Sequence, residues 1–519
     1  MEDHILLPFS ILLLIILILL KLIKLQHPKV KTKTSYNPPP SPPTSLPILG
    51  HLHHLLKQKQ PLHHSLSSLS SLHGPILSLR LASRQALLIS SLSIATECFS
   101  SHNDIVFANR PHLFAGKHLG YNYTTIAWAS YGPHWRNLRR LTTLELFSTL
   151  RLTSFSSIRR DEVLSLVKSL VKDNKKVVLK PKLFELTLNI MMRMIAGKKY
   201  FGEYDDEVKD KKESERFRDI VEETFRVSGS SNLCDFIPFL RLFGYGRGME
   251  KRIVRLHEKR DAFLQELIDK HRDKTRVNPN VNDHFEGKKS VVDVLLGLQV
   301  DDPEYYTDDI IKGVVVMMLT AGTDTSAVTI EWAMSLLLNH PEVLNKVEEE
   351  IMINIGKERF VTELDLASLS FLQCVIYETL RLKPPAPLIP AHESREDCKI
   401  SGFHVSRGTM LLVNAWAMQR DPELWVEPNK FQPERWLGKG REERQKMLPF
   451  GIGRRSCPGE GLAMKVVGLT LAALIQCFEW GRVDDELVDL HEGPGLTMPK
   501  ACPLVALCEP RSFVYKNIV

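Results

Sequence analysis

The chain has 519 residues, 43% of them hydrophobic, and 68 Lys and Arg against 61 Asp and Glu leave a net charge of +7. That length buries a large core, and so small an excess spread over it excludes an electrostatic argument for nucleic acid as a partner. Eight cysteines, at 98, 234, 374, 398, 457, 477, 502 and 508, form no CxxC pair, which excludes a zinc site or a disulfide framework and fits a reducing compartment.

Residues 5–20 are apolar except for Pro8 and Ser10; the other fourteen of these sixteen are Leu, Ile or Phe. Each such side chain favours the bilayer centre by roughly 0.3 to 0.6 kcal/mol. Lys21 and Lys24 can snorkel, extending the helix through Leu25 to a spanning length. No basic stretch precedes the run and no small-residue cleavage site follows it, so it reads as a retained anchor rather than a signal peptide. Five lysines at 21, 24, 29, 31 and 33 follow the run, with Glu2 and Asp3 before it. This asymmetry places the bulk of the chain on the cytosolic side. Pro38, Pro39, Pro40, Pro42 and Pro43 then make a semi-rigid spacer. No linker or repeat follows residue 50. The expected organisation is an anchor helix at 1–25, a basic and Pro-rich hinge at 26–43, and one large domain at 44–519.

Short alternating patterns predict strands at 76–81 and 86–90, and again at 400–405 and 409–413. From His134 onward helices dominate, so the fold class is mainly α with a small β region. The longest predicted helix spans 308–339. Asp308 and Asp309 suit its amino terminus and His340 with Pro341 stops it. It is apolar nearly all round at 314–319 and should cross the core. Residues 275–290 are polar and predict an exposed loop. Residues 462–478 predict an apolar helix, with Pro458 at a first helical position.

Ala321, Gly322, Thr323, Asp324, Thr325 and Ser326 interrupt the long helix with small and polar residues. Gly in a helix interior is less favourable than Ala by about 1 kcal/mol and needs a reason. Small residues leave room over a flat cofactor, and a local opening of the helix would admit water. Asp324 and Thr325 form an acid–alcohol pair suited to relaying protons. The ordinary alternative is a Thr bonded back to its own helix and an Asp engaged elsewhere. Glu378 and Arg381 lie three apart on one helix face, and Trp135 and Arg139 four apart on another.

The segment 450–459 holds Phe450, Gly451, Gly453, Arg455, Cys457, Pro458 and Gly459. Two glycines permit a tight turn, and a sulfur at the start of the following helix faces its dipole and free N–H groups, which favour the thiolate. A thiolate in an apolar pocket pushes electron density onto haem iron and promotes O–O cleavage.

Phe450, Gly453, Arg455, Cys457 and Gly459 match every fixed position of the haem-binding signature of the cytochrome P450 family, the type case of that ligation. The chain resembles this family from residue 38 to residue 459. The resemblance implies a haem-thiolate domain holding haem b, with Cys457 as the metal ligand. Asp324 and Thr325 are then the proton relay to the oxygen that is activated. Trp135, Arg139, Arg455 and His392 contact the haem propionates, and Phe450, Gly451 and Ala321 also bind the cofactor. Glu378 and Arg381 join Arg435 of the segment Pro433, Glu434, Arg435, Trp436 in a buried structural network. Arg136, Arg140, Lys439, Arg441, Arg444, Lys446 and Arg454 offer a basic face for an NADPH–cytochrome P450 reductase, the implied source of NADPH electrons.

Finer likenesses at 107–111, 115–122 and 194–198 resemble a plant subgroup with isoflavone hydroxylases, sesamin-forming lignan enzymes and xanthone synthases. They imply a monooxygenase of the endoplasmic reticulum membrane acting on a small phenolic such as a flavonoid, isoflavonoid, lignan or benzophenone. Substrate contacts are implied at 112–124, 225–240, 315–319, 388–389 and 496–497. Phenol coupling or methylenedioxy-bridge formation is a second outcome of the same site. Alternatives from other classes are a hydroperoxide-rearranging haem enzyme and a non-catalytic haem sensor.

Overall fold

The computed structural model describes residues 37–56, 60–173, 175–201, 211–228, 232–277 and 289–518. The expected anchor at 1–25 and the first part of the hinge, 26–36, lie outside the described residues. The helices that build the site are α1 (Pro133–Leu141), α2 (Leu179–Ala196), α3 (Lys211–Ser228), α4 (Arg247–Val277), α5 (Asp308–Asn339), α6 (Ser370–Leu382) and α7 (Glu460–Cys477). α5 has the bounds expected from its end signals, with Thr307 as N-cap and His340 as C-cap. It is buried along most of its length and packs against α2, α6 and α7.

Three expectations for these helices need correction. α7 begins at Glu460 behind an N-cap at Gly459, so Pro458 stays in the preceding turn. It ends at Cys477, and Phe478 opens a short strand that pairs with Val505–Pro510. The polar segment from 275 still belongs to α4 as far as Val277, because polar composition alone does not end a helix.

A four-stranded sheet comprises β1 (Ile76–Leu81), β2 (Arg84–Ile89), β3 (Leu388–Glu393) and β4 (Met410–Asn414), in the spatial order β1, β2, β4, β3. β1 and β2 are antiparallel, β2 and β4 parallel, and β3 and β4 antiparallel. The β3 register shifts between Ile389 and His392. Pro390 lies inside that shift and has no N–H to give to the ladder, which suits it to a bulge. The stretch expected as one strand at 400–405 is a hairpin, Cys398–Ile400 with Phe403–Val405, turned at Ser401 and Gly402, both with positive φ.

The predicted ion network is present. Arg381 donates from Nε and Nη2 to both oxygens of Glu378 at 2.8 Å, and both side chains are fully buried. Arg435 Nε, Trp436 Nε1 and the Gln432 N–H also donate to Glu378, at 3.0, 2.9 and 3.0 Å. Arg381 uses its remaining donors on the carbonyls of Gln419, Pro428 and Lys430. A charge pair this deep is tolerable because nearly every lone pair and proton has a partner.

Candidate active site

Cys457 lies in a loop closed by its own N–H, which donates to the Phe450 carbonyl at 2.8 Å. Gly451 and Gly453 turn this loop with φ of +72° and +74°. At Gly453 a Cβ would also stand 2.5 Å from Asp104 Oδ1 and 3.2 Å from Phe99 Cβ. Protein crowds round Cys457, yet the residue itself is exposed. Burial raises its thiol above the ordinary range, while the N–H groups of Gly459 and Glu460 and the Arg139 guanidinium pull the other way. The helix start therefore acts on the sulfur as expected, but desolvation outweighs it. A metal bound at this sulfur would favour the thiolate in spite of that burial.

Ala321 is also exposed, in the middle of the mostly buried α5. The adjacent glycine serves packing instead: a Cβ at Gly322 would lie 2.6 Å from Met191 Sδ, so its bare backbone admits α2 against α5. The helix does not open locally as expected; it is continuous α-helix from 308 to 339. Thr325 Oγ1 donates to the Ala321 carbonyl at 2.7 Å, and Thr320, Thr323 and Thr329 make the same four-residue back-bond. Half-buried Asp324 accepts from Thr497 Oγ1 at 2.6 Å. Burial raises its carboxyl pKa, against the Thr497 bond and the more distant Lys180 charge.

Four cationic or ionisable side chains line this part of the site, and two of them bond to the segment 107–110. His392 Nδ1 donates to the Phe107 carbonyl at 2.7 Å, and Arg455 Nε donates to the Ala108 carbonyl at 2.5 Å. Arg455 also reaches the carbonyls of Ile126 and Ala129 and lies 4.9 Å over the Trp135 ring. Trp135 Nε1 donates to the Ile126 carbonyl at 3.2 Å, and Arg139 Nη1 to the Ser456 carbonyl at 2.6 Å. The fourth is Arg110, which no sequence motif marked as a site residue. Its guanidinium is buried and donates to the carbonyls of Ala127, Pro390 and Ala391. The β3 bulge supplies the last two, so a proline in the strand and an arginine 280 residues earlier form one feature.

Burial pushes Arg110 down to about 10, and burial together with the Arg110 charge pushes Arg455 down to about 8. His392 falls well below its ordinary value by burial, then by the charge of Arg110. Among the described residues neither Arg110, Arg139 nor Arg455 has a carboxylate partner. Carbonyl dipoles alone leave such charges poorly compensated, and a dianionic group beside them restores the balance. A haem with two propionates fits this donor set, with a soft thiol at Cys457 and a small residue at Ala321. Phe450 and Gly451 are half-buried in the same loop.

The expected basic face is only partly available. Arg454 pairs with Asp104 at 3.1 Å and Lys446 with Glu443 at 2.8 Å, while Arg444 stacks on Tyr377. Arg136 and Arg140 are exposed on α1 and have no ion pair among the described residues.

The cytochrome P450 family profile matches residues 39–505. The chain belongs to the cytochrome P450 family. Cytochrome P450 81Q32 of Catharanthus roseus is 51% identical, with 93% of each chain covered. An isoflavone 2'-hydroxylase of Medicago truncatula is 47% identical over 92% of this chain and 93% of its own. A (+)-piperitol/(+)-sesamin synthase of Sesamum radiatum is 48% identical over 91% of this chain and 90% of its own. Among solved structures, a zebrafish cytochrome P450 with progesterone gives a TM-score of 0.73 at 25% identity, covering 87% of this chain and all of that one. The enzyme is thus a P450 monooxygenase with haem b as its cofactor, and its family draws NADPH electrons through a reductase.

Proposed function

We propose that this P450 is an endoplasmic reticulum enzyme, held by a helix at 1–25, that oxidises a small plant phenolic, most simply by hydroxylation. The observation that carries the site assignment is the exposed Cys457 beside guanidinia that lack carboxylate partners among the described residues. Support for the substrate class comes from the names of the relatives, which include isoflavone hydroxylases and a sesamin synthase. Bound haem supplies the oxygen chemistry. Cys457 then serves as its thiolate ligand, and Trp135, Arg110, Arg139, Arg455 and His392 orient its propionates. Phe450, Gly451 and Ala321 complete its contacts. Thr325 holds a proton on Oγ1, parked on the Ala321 carbonyl, and Asp324 holds one more readily than an ordinary carboxylate because burial raises its pKa. Together they pass protons into the pocket. Arg136 and Arg140 offer the reductase an exposed cationic edge.

Ring closure by the same site is the second reading, favoured by the sesamin synthase relative. Both readings are tested in microsomes with a plant reductase, NADPH and a panel of isoflavonoids, lignans and benzophenones, read by product mass. Hydroxylation adds one oxygen; coupling or bridge formation removes two hydrogens. The Cys457→Ala enzyme should lose both product and the thiolate-type spectrum of its reduced carbon-monoxide complex. Turnover that needs no NADPH would instead identify a hydroperoxide-rearranging enzyme.

A further inference from the structure

A half-open cleft of about 470 Å³ lies where the carboxyl-terminal ends of α5 and α6 meet the segment 429–432 and Leu490. Its walls include Leu336 near the end of α5, His340 just past it, Leu382 at the end of α6, Phe431 and Leu490. Leu336, Leu382 and Phe431 are buried, and the His340 and Phe431 rings stand 5.0 Å apart. Leu336 is fifteen residues beyond Ala321 on an unbroken helix, about 22 Å away at 1.5 Å per residue. The cleft is therefore separate from the haem site.

Three cations border it, Lys383, Arg420 and Lys430. Lys430 stands exposed at the rim and pairs with Glu427 at 2.5 Å. Lys383 is fully engaged: Nζ donates to Glu492 Oε1 at 2.7 Å and to the Leu490 carbonyl at 3.0 Å, and lies 4.4 Å over the Trp332 ring. Arg420 is not. Its Nη2 donates to the Leu382 carbonyl at the end of α6, its Nη1 donates to the Trp416 carbonyl at 3.4 Å, and the guanidinium lies 4.0 Å over the Trp416 ring. Glu492 Oε1 is 3.8 Å from Nη2, beyond hydrogen-bond reach. Arg420 Nε donates to nothing among the described residues.

Glu492 is shared among many donors. Its Oε2 accepts from His63 and His64 Nε2 at 2.7 and 2.8 Å, and its Oε1 accepts from Trp416 Nε1 at 3.3 Å as well as from Lys383. Two imidazoles and a carboxylate are a possible ligand set for a metal ion, but Lys383 and Arg420 beside the same carboxylate oppose a further cation. One carboxylate so divided leaves the fixed cations poorly compensated. Burial lowers Lys383 and pushes Arg420 down to about 10, although Glu492 works against both shifts. The ends of α5 and α6 add only partial negative charge. A planar carboxylate would supply both the missing charge and an acceptor for Nε. The leucines and the two rings suit an apolar, flat body behind it, and the volume is that of a small-molecule site.

We propose that this cleft is a second ligand site, which binds an aromatic carboxylate with its acid group on Arg420 and its ring against Phe431 and the leucines. The inference does not depend on the phenolic reading above.

The test is a calorimetric titration of the holoenzyme with naphthalene-2-carboxylate, after an azole that ligates the iron has filled the substrate chamber. One equivalent should bind, and naphthalene-2-carboxamide should bind roughly tenfold more weakly or worse, the worth of one charge-assisted hydrogen bond. Arg420→Met should remove that preference for the acid. Leu490→Trp fills the cleft from its half-buried wall while leaving Arg420 in place, and should weaken the carboxylate more than tenfold. It decides the matter if Arg420→Met, judged by its reduced carbon-monoxide spectrum, does not fold. No binding to the azole-saturated wild type, equal binding of acid and amide, or wild-type affinity in Leu490→Trp would each overturn the inference.

Discussion

Arg110 is the residue whose place in the site was least visible in advance. The segment Phe107, Ala108, Asn109, Arg110, Pro111 announces a subgroup, but nothing local says that three successive carbonyls, at 107, 108 and 109, will accept from His392, Arg455 and the Glu393 N–H. Nor does it say that Pro390 and Ala391 will turn their carbonyls onto the Arg110 guanidinium. Its partners are remote in sequence, and no periodicity encodes them. Cys457 was legible for the opposite reason: its loop, glycines and helix start are all contiguous. Replacing Arg110 by Met removes one buried cation from the proposed propionate site. Haem should then transfer to apomyoglobin about tenfold faster than from the wild-type enzyme, as expected for loss of a charge-assisted contact. An unchanged transfer rate would remove Arg110 from the haem site.

At the scale of the element, α5 shows limits that its end signals gave and an interior that they did not. Its limits followed from Asp308, Asp309, His340 and Pro341. Its small residues were expected to open the helix over a cofactor, whereas Ala321 supplies the open surface and Gly322 packs against Met191 in an unbroken helix. A single sequence does not say which of two adjacent small residues faces a neighbour, because that depends on the rotation of the helix within the core. The network on α6 followed from the family resemblance, since the spacing of Glu378 and Arg381 alone suits an exposed pair of little worth. Its depth makes it consequential. Glu378→Gln leaves Arg381 buried and only partly matched, and should lower unfolding free energy by about 3 to 5 kcal/mol. Chemical denaturation of the haem-loaded protein measures this; a loss below about 1 kcal/mol, typical of an exposed pair, would show that the network is not buried in solution.

At the scale of the whole molecule, two helices among the described residues are long and apolar enough to cross a membrane, α5 and α7, each with mean hydropathy 1.4. Both are mostly enclosed by protein, which makes them core helices rather than spans. The proposed membrane attachment rests on residues 5–20 and on a surface patch. Phe239, Leu242 and Phe243 are 46%, 82% and 80% exposed. The segment carrying them packs through Ile237 and Leu240 into the same apolar cluster as Leu49, Leu52 and Leu66, so the patch lies beside the chain's entry into the domain. Exposed apolar surface of this kind marks an interaction site. Deleting residues 1–25 should therefore make the enzyme extractable from microsomes by alkaline carbonate, while a fraction still sediments with membranes at neutral pH. A full-length enzyme released by carbonate as readily as the truncated one would reject the spanning anchor.

By itself the amino-acid sequence determined what contiguous residues can encode: the apolar amino-terminal run, the mainly α class, the limits of α5, the Cys457 loop and the paired charges of α6. Hydrophobic period, capping residues and turn glycines act over a few residues, so one chain displays them directly. Tertiary structure alone decided that burial outweighs the helix start at the Cys457 thiol, that Arg110 joins Arg455 and His392, that Thr497 engages Asp324, and that Lys383 and Arg420 share Glu492. Each of those depends on which groups distant segments bring together and how much water they exclude, and desolvation and hydrogen bonding take their value from that packing.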